Sequence, residues 1–259
     1  MPGRTPVMKP ARRSRQQIQA LLKLREFILT GVFAPGQRVS ELAVVDKLGI
    51  SRTPVRLALT MLEHEGFLET LPGGGFRVQD FSAEDVQDAI EIRGGLEGMA
   101  ARLAAERRPS PEALAAMRRT VEALDEVVRS RDPADRLEPY IELNEAFHSQ
   151  LLDAADSTMI RRSMAHIESL PFASPNAFVL VGVEAEEEAE ILKYGQIQHR
   201  LILEAIVQGE GARAEALARE HARLARRNLT TALSRSDLLG QVPGAALLRR
   251  ETGSQSDSE

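Results

Sequence analysis

Apolar residues recur at every third or fourth position in the first part of the chain, in three stretches separated by turn residues. The first stretch, SRQQIQALLKLREFILTG, has the stripe of an amphipathic helix that ends at Gly31. A second helix is predicted from Ser40, whose hydroxyl can cap it, to Gly49, which breaks it. Ser51 is predicted to cap a third helix, with Pro54 in the first turn, where the missing N–H costs nothing.

The segment that follows, GFLETLPGGGFRVQDF, alternates apolar and polar residues on either side of a Pro-Gly-Gly-Gly turn. This pattern predicts a β-hairpin. The glycine run lacks the lysine and serine that follow it in a phosphate-binding loop, so a hairpin turn is the better interpretation. Helix, helix, tight turn, helix and hairpin is the order of a winged helix-turn-helix.

After Phe81 the aliphatic residues recur at helical spacing almost to Leu238. Long helices are predicted near 83–107, 110–130, 134–154, 157–169, 186–208 and 211–235. Their connections are short, which indicates an antiparallel all-α bundle. The predicted fold class is therefore mainly α. Residues 12–80 form the winged helix-turn-helix, residues 82–236 form the helical domain, and residues 1–11 and 239–259 are expected to be disordered tails.

Charge is distributed unevenly between these two parts. Residues 1–80 contain 12 Lys and Arg against 7 Asp and Glu, a net charge of +5, whereas the rest of the chain has a net charge of −10. A basic head on an acidic body indicates that the head binds a polyanion. The chain has no cysteine, which excludes disulfides and thiolate metal sites. Because no apolar run is long enough for a bilayer and no signal peptide is evident, we expect a cytoplasmic protein without a membrane partner.

Four polar residues interrupt the apolar stripes of the predicted bundle. Asn144 and His148 face inward one turn apart, and His199 and His221 face inward from two other helices. Buried imidazoles need partners, and one divalent metal bound by the three histidines, with an oxygen from Asn144, would satisfy all of them. The alternative is that each histidine bonds separately to a backbone carbonyl or a carboxylate.

Arg93 and Glu97 lie on the inner stripe of the first bundle helix. A buried arginine beside a metal ion is a natural receptor for a carboxylate, through a bidentate pair and a metal–oxygen bond. The alternative is an internal salt bridge between these two residues, which are spaced i,i+4.

The head contains the segment LREFILTGVFAPGQRVSELAVVDKLGISRTPVRLALTMLEHEGFLETLPGGGFRV. This segment resembles the DNA-binding domain of the GntR family of bacterial transcription regulators. The resemblance implies that the third helix enters the major groove and that the wing approaches the minor groove or the backbone. It also implies DNA contacts from the side chains of Arg52, Thr53 and Arg56, and from the backbone of Gly73. Some family members have an arginine where this chain has Leu42.

Elementary geometry agrees with these contacts. Side chains in the first turn of a recognition helix, here Ser51, Arg52, Thr53 and Arg56, can reach base edges, and arginine can bind guanine bidentately. Two alternatives remain open: Arg56 could pair with a nearby carboxylate, and Thr53 could be only a helix-start hydrogen bonder.

The bundle contains the segment NEAFH, followed by QHRLILEAIVQGEGARAEALAREH. Together these segments resemble the metal-binding pattern of the FCD ligand domain, which is the partner of this winged helix in the FadR and VanR branches. The pattern there is Asp, three residues, His and two further His, and Asn144 occupies the Asp position here. The resemblance implies zinc, nickel or manganese as the metal, and a small organic acid as effector, contacted by Arg93 and Glu97. It also implies a homodimer on a palindromic operator.

Three functions were therefore considered. The favoured one is a ligand-responsive transcription regulator, a repressor whose recognition helices respond to the organic acid. The second is a metal-dependent enzyme that uses the histidine cluster, with Glu142 or Glu145 as general base. The third is a DNA-binding structural protein with an inert bundle, in which the inward histidines would be superfluous.

Overall fold

The computed structural model describes residues 10–170, 172–177, 184–235, 240, 242 and 244–249. The chain divides into two compact units: residues 1–83 together with 244–259, which we call the head, and residues 84–243, which we call the bundle. In the described residues, no helix is both long enough and apolar enough to cross a membrane.

In the part of the head that the structure describes, there are three α-helices and a small antiparallel sheet. The helices are α1 (Pro10–Leu29), α2 (Glu41–Leu48) and α3 (Arg52–His64), and the strands are β1 (Arg38–Val39), β2 (Leu68–Thr70) and β3 (Phe76–Val78). The strands lie in the order β1-β3-β2, so the predicted hairpin is present and β1 pairs with its second strand. Sequence analysis did not predict β1, because two residues are too few to show a pattern.

The capping residues predicted for the short helices are found in the structure, with one exception. The Ser40 side chain accepts a hydrogen bond from the Ala43 amide at 3.2 Å, and Gly49 ends α2 with a positive φ of 64°. Ser51 occupies the N-cap position of α3, but its side chain makes no capping hydrogen bond. Its hydroxyl is therefore not committed to holding the helix start.

The end of the chain also contributes to the head. Ala245–Leu247 form a 3-10 helix, and the Leu247 side chain, 0% exposed, packs in the head core. The Phe81 amide donates to the Leu247 carbonyl at 2.9 Å, and the Arg249 amide donates to the Phe81 carbonyl at 2.7 Å. The expected disordered tail at 239–259 is thus wrong for 244–249, because a short apolar run docks there. The expected tail at 1–11 lies outside the described residues except for the first two residues of α1.

The described residues of the bundle form six α-helices close to the predicted bounds. They are α4 (Ala83–Arg107), α5 (Pro111–Arg129), α6 (Leu137–Ala154), α7 (Thr158–Glu168), α8 (Ala185–Gln208) and α9 (Gly211–Ser234). Two glycines bring α4 close to α9. A Cβ added to Gly94 would lie 2.7 Å from the Cβ of Ala222, and one added to Gly98 would lie 2.7 Å from Cγ of Arg219. This close approach places Arg93 and Glu97 of α4 beside His221 of α9.

Candidate nucleic-acid interface and metal centre

Helix α3 is strongly amphipathic. One face is buried in the head core, and its residues are Pro54, Val55, Ala58, Leu59 and Leu62. The other face is exposed at the helix start, where Ser51, Arg52, Thr53 and Arg56 all face solvent. Burial of the first face fixes the helix, so the exposed face is presented on a rigid support.

Arg56 remains available for a ligand. Its nearest carboxylate is that of Glu41, with Nε and Oε1 4.0 Å apart, and the Arg56 side chain is 63% exposed. An ion pair this long between solvated groups contributes little to stability. The interpretation of Arg56 as a structural partner of a carboxylate is therefore weak.

The turn between β2 and β3 forms the tip of the wing. Gly73 is exposed there, whereas Gly74 and Gly75 have the positive φ angles, 82° and 83°, that side chains other than glycine rarely adopt. The Arg38 guanidinium donates to the Gly74 carbonyl at 2.8 Å and places a further positive charge at the wing. Sequence analysis missed Arg38 because β1 has no recognisable pattern.

The three predicted histidines meet in the bundle. One ring nitrogen from each of His148, His199 and His221 lies within 4.8 Å of the other two, and the Nε2 atoms of His199 and His221 are 3.0 Å apart. All three side chains are at least nine-tenths buried. They come from α6, α8 and α9, so the cluster depends on the tertiary fold.

The second nitrogen of each ring, Nδ1, faces an oxygen of a different side chain. For His199 this is Oε1 of Gln196 at 3.1 Å, and for His221 it is Oε1 of Gln198 at 3.0 Å. For His148 it is Oε1 of Glu97 at 2.9 Å, although this pair is not in hydrogen-bond alignment. The Nε2 atoms of His199 and His221, which face each other at 3.0 Å, are thereby left for a shared partner. Both glutamines precede His199 in the sequence YGQIQHR, and the i,i+3 spacing puts Gln196 on the same helical face as His199, which is a signal visible in the sequence.

Burial keeps two of these rings neutral. Desolvation, followed by the positive fields of His221 and His148, holds the pKa of His199 well below its ordinary 6.5. Desolvation and His148 lower the pKa of His221 to about 3, although Glu97 opposes the shift. Neutral imidazole is the form that binds metal ions.

Arg93 and Glu97 form a buried pair with unsatisfied atoms. Both side chains are about 2% exposed, and Nη1 of Arg93 lies 3.8 Å from Oε1 of Glu97, so the predicted salt bridge is present but long. Nε of Arg93 and both carboxylate oxygens of Glu97 have no hydrogen bond. Burial would raise the pKa of Glu97, but His148 and Arg93 outweigh it and lower the pKa to about 2. Glu97 is thus an ionised carboxylate.

A cavity of about 50 Å³ adjoins the histidines. The predicted residues Arg93, Asn144, His148 and His221 line it together with Tyr140, Pro175, Ile191, Leu192, Gly195, Leu224, Ala225 and Asn228, whereas Glu97 and His199 do not. Burial raises the pKa of the Tyr140 hydroxyl, which keeps it a hydrogen-bond donor. A Cβ added to Gly195 would lie 2.8 Å from the Tyr140 hydroxyl, so the missing side chain of Gly195 leaves room in this wall.

The amide of Asn144 has a defined orientation. Its Nδ2 donates to Oδ1 of Asn176 at 2.8 Å, and Nδ2 of Asn176 donates to the Ile141 carbonyl at 3.1 Å. Since the carbonyl accepts only, it fixes the orientation of Asn176 and, through it, that of Asn144. The remaining Oδ1 of Asn144 is the atom with metal-ligating character.

This donor set fits a divalent metal ion. Two nitrogens bound at about 2.1 Å to one ion lie about 3.0 to 3.4 Å apart, which matches the 3.0 Å between the Nε2 atoms of His199 and His221. One ring nitrogen of His148 lies within 4.8 Å of a ring nitrogen of each of these two histidines, so three imidazole donors are grouped closely. These residues do not resemble a catalytic metal site, because the two candidate general bases, Glu142 and Glu145, are both exposed.

Comparisons with known proteins identify both domains. The model of the FCD domain matches residues 88–224, and that of the bacterial regulatory proteins of the gntR family matches residues 16–78. The HTH-type transcriptional regulator YdhC of Bacillus subtilis is 28% identical over 153 residues, which cover 59% of this chain and 66% of YdhC. LutR, an HTH-type transcriptional regulator of the same organism, is 28% identical over 75% of this chain and 92% of its own length.

A solved structure described as E. coli McbR/YncC matches with a TM-score of 0.58 and 20% identity, over 84% of this chain and 98% of that chain, and so supports the fold. The FCD match spans more than half of the chain, and the matched relatives are regulators rather than enzymes. The protein therefore belongs to the GntR family of bacterial regulatory proteins, in the group whose second domain is an FCD domain, and is a DNA-binding transcription regulator.

Proposed function

We propose that a small organic acid, bound in the bundle beside a divalent metal ion, controls the affinity of this regulator for its operator. The observation that carries the proposal is the convergence of His148, His199 and His221 beside a cavity that Arg93 also lines. A metal ion and an arginine together offer one carboxylate a metal–oxygen bond and bidentate hydrogen bonds.

The metal would be held by the three histidines and by Oδ1 of Asn144. Three imidazoles without a direct carboxylate ligand favour zinc or nickel over manganese. A neutral amide binds a divalent cation less strongly than the carboxylate usual at this position in the family. When bound, the ion supplies a Lewis acid that can accept a carboxylate oxygen.

The effector would be contacted by Arg93, whose Nε has no hydrogen bond to the described residues, and by the Tyr140 hydroxyl. A cavity of about 50 Å³ is about a third of the ~150 Å³ that accommodates benzene, so the acid has only a few non-hydrogen atoms. Glu97 was predicted as an effector contact, but it does not line the cavity. We propose instead that it holds Arg93 and His148 in place.

On DNA, we propose a homodimer whose two α3 helices bind the half-sites of a palindromic operator about one helical turn apart. Ser51, Arg52, Thr53 and Arg56 contact the major groove, and the wing at Gly73 contacts the backbone or minor groove. Binding of the acid shifts the population of the dimer that fits both half-sites. We further propose that the protein acts in the cytoplasm as a repressor, since occupancy of the operator excludes RNA polymerase.

The decisive experiment combines metal analysis with a screen of small carboxylic acids. Protein purified without chelators is assayed for zinc, nickel and manganese, and its melting temperature is then measured with each acid. We expect a stoichiometric metal and one acid class that stabilises by about 2.7 kcal/mol at about 100 times its Kd. Arg93→Ala and the charge-preserving Arg93→Lys should abolish this gain, whereas Arg162→Ala, at an exposed bundle position, should not. Absence of metal and of any stabilising acid would contradict the proposal.

A further inference from the structure

Gln196 on α8 links the histidine cluster to helix α5. The side chain is 2% exposed. Its Nε2 donates to the Val121 carbonyl at 2.8 Å and to Oδ1 of Asp125 at 2.6 Å. Its Oε1 lies 3.1 Å from Nδ1 of His199, one helical turn further along. Gln196 is therefore a fully bonded buried amide that joins α5 to the cluster.

The orientation of this amide has only one solution. A backbone carbonyl and a carboxylate accept hydrogen bonds and cannot donate them, so the group that faces Val121 and Asp125 must be the amide nitrogen. The amide oxygen then faces His199. The flip that usually leaves the two ends of a glutamine interchangeable would here place an oxygen against two other oxygens.

The fixed oxygen determines the tautomer of His199. Because an amide oxygen only accepts, Nδ1 of His199 must carry the ring proton, and Nε2 of the neutral ring must carry a lone pair. That lone pair points towards Nε2 of His221, 3.0 Å away. Without the acceptor on Gln196, His199 could carry its proton on Nε2 and donate it to His221, and this hydrogen bond would compete with a metal ion.

We propose that Gln196 is a positioning residue for the metal centre: it holds His199 in the tautomer that can bind a metal ion, and Asp125 of α5 holds Gln196. This inference rests on the metal site proposed above. Gln196 does not touch the ion or the effector. Its action passes through His199, as ligand-orienting partners of metal-bound histidines commonly act.

Asp125 extends the link to the surface of the bundle. Besides Gln196, its carboxylate binds Arg200, with Oδ1 2.7 Å from Nε and Oδ2 2.7 Å from Nη2. The Arg200 side chain is about half exposed, so solvent screens this end of the ion pair, whereas the Asp125 side chain is only 13% exposed. Arg200→Gln therefore serves as a matched control, because it removes the ion pair and leaves the bond between Asp125 and Gln196.

The test compares wild type with Gln196→Met, Asp125→Leu, Asp125→Asn and Arg200→Gln in the full-length protein. Long-range proton–nitrogen NMR of metal-free protein reports which nitrogen of His199 carries the proton, and competition with a chromogenic chelator measures zinc affinity. We expect the Nδ1 proton in wild type, and a change of tautomer with a 10- to 100-fold loss of zinc affinity in Gln196→Met. Asp125→Leu should show a smaller loss, Asp125→Asn should retain most of the affinity, and Arg200→Gln should retain all of it.

The outcomes separate this inference from the metal proposal. If wild-type protein binds zinc but carries the His199 proton on Nε2 without metal, Gln196 does not have this role. The same conclusion holds if Gln196→Met binds zinc as tightly as wild type. Should Gln196→Met fail to fold, the tautomer of wild-type His199 and the two Asp125 variants still decide. Wild-type protein that has the Nδ1 proton but binds none of zinc, nickel and manganese would overturn the metal centre itself, and with it this role of Gln196.

Discussion

Acid should destabilise the metal-free bundle well above the pH at which carboxylates titrate. His199 and His221 are buried as neutral rings, whereas in the unfolded chain each accepts a proton near its ordinary pKa of 6.5. Between pH 6.5 and the depressed folded pKa, the unfolded state therefore binds more protons than the folded state. The free energy of unfolding must then fall as the pH is lowered.

The size of the effect follows from the shift. A histidine with a pKa of 6.5 when unfolded and about 3 when folded loses about 2 kcal/mol of stability between about pH 7.5 and about pH 5. His199 contributes with the same sign and adds to this loss, which is already a noticeable share of the stability of a typical domain. Glu97 adds nothing in this range, since its pKa moves from 4.5 to about 2. Burial and the nearby Glu97 raise the pKa of Glu168, which offsets part of the loss.

The chain offers a selective probe for this measurement. It has no tryptophan and only two tyrosines, Tyr140 and Tyr194, both in the bundle, so tyrosine fluorescence follows bundle unfolding alone. Urea titrations with a chelator at the two pH values give the change. His199→Gln should reduce the pH dependence, whereas His166→Gln, at an exposed position, should leave it unchanged. Equal stability at both pH values in wild type would refute the buried neutral rings.

Five further variants test other parts of the molecule. Arg52→Ala and Arg56→Ala should each weaken operator binding by about 1 to 3 kcal/mol and reduce its salt dependence, as measured by fluorescence anisotropy at several salt concentrations. Gly195→Ala should abolish stabilisation by the acid while zinc still binds, because the added methyl enters the cavity wall; an unchanged acid response in the thermal-shift assay would contradict this role. Leu247→Ala should destabilise the head by about 2 to 5 kcal/mol, seen as an earlier circular-dichroism transition with unchanged tyrosine signal. Asn144→Asp should raise zinc affinity about tenfold or more in the absence of acid, by chelator competition.

The helices and the histidine cluster were predictable from sequence because both follow helical periodicity. Residues such as Asn144 and His148, one turn apart on an apolar stripe, must face the core once the helix forms, and buried imidazoles then require a common partner. Helical periodicity could not predict β1, which has two residues, or the 3-10 helix that contains Leu247, which has three. Elements this short are determined by the residues against which they pack. The space in the cavity wall at Gly195 could not be predicted either, because the absence of a side chain leaves no recognisable sequence pattern.

The neutral amide at position 144 changes how the site is expected to work. The buried charges nearest the histidines are Arg93 and Glu97, which cancel, so a divalent ion bound by three neutral rings and Asn144 keeps its full charge in a low-dielectric interior. Such an ion is stabilised most when an anion enters the cavity beside it. Linkage then requires that the acid raise metal affinity by the same factor as the metal raises acid affinity. A carboxylate at position 144 would supply the negative charge permanently and weaken this coupling. In this protein, the amide therefore strengthens the coupling between metal binding and effector binding, so that each ligand raises the affinity of the site for the other.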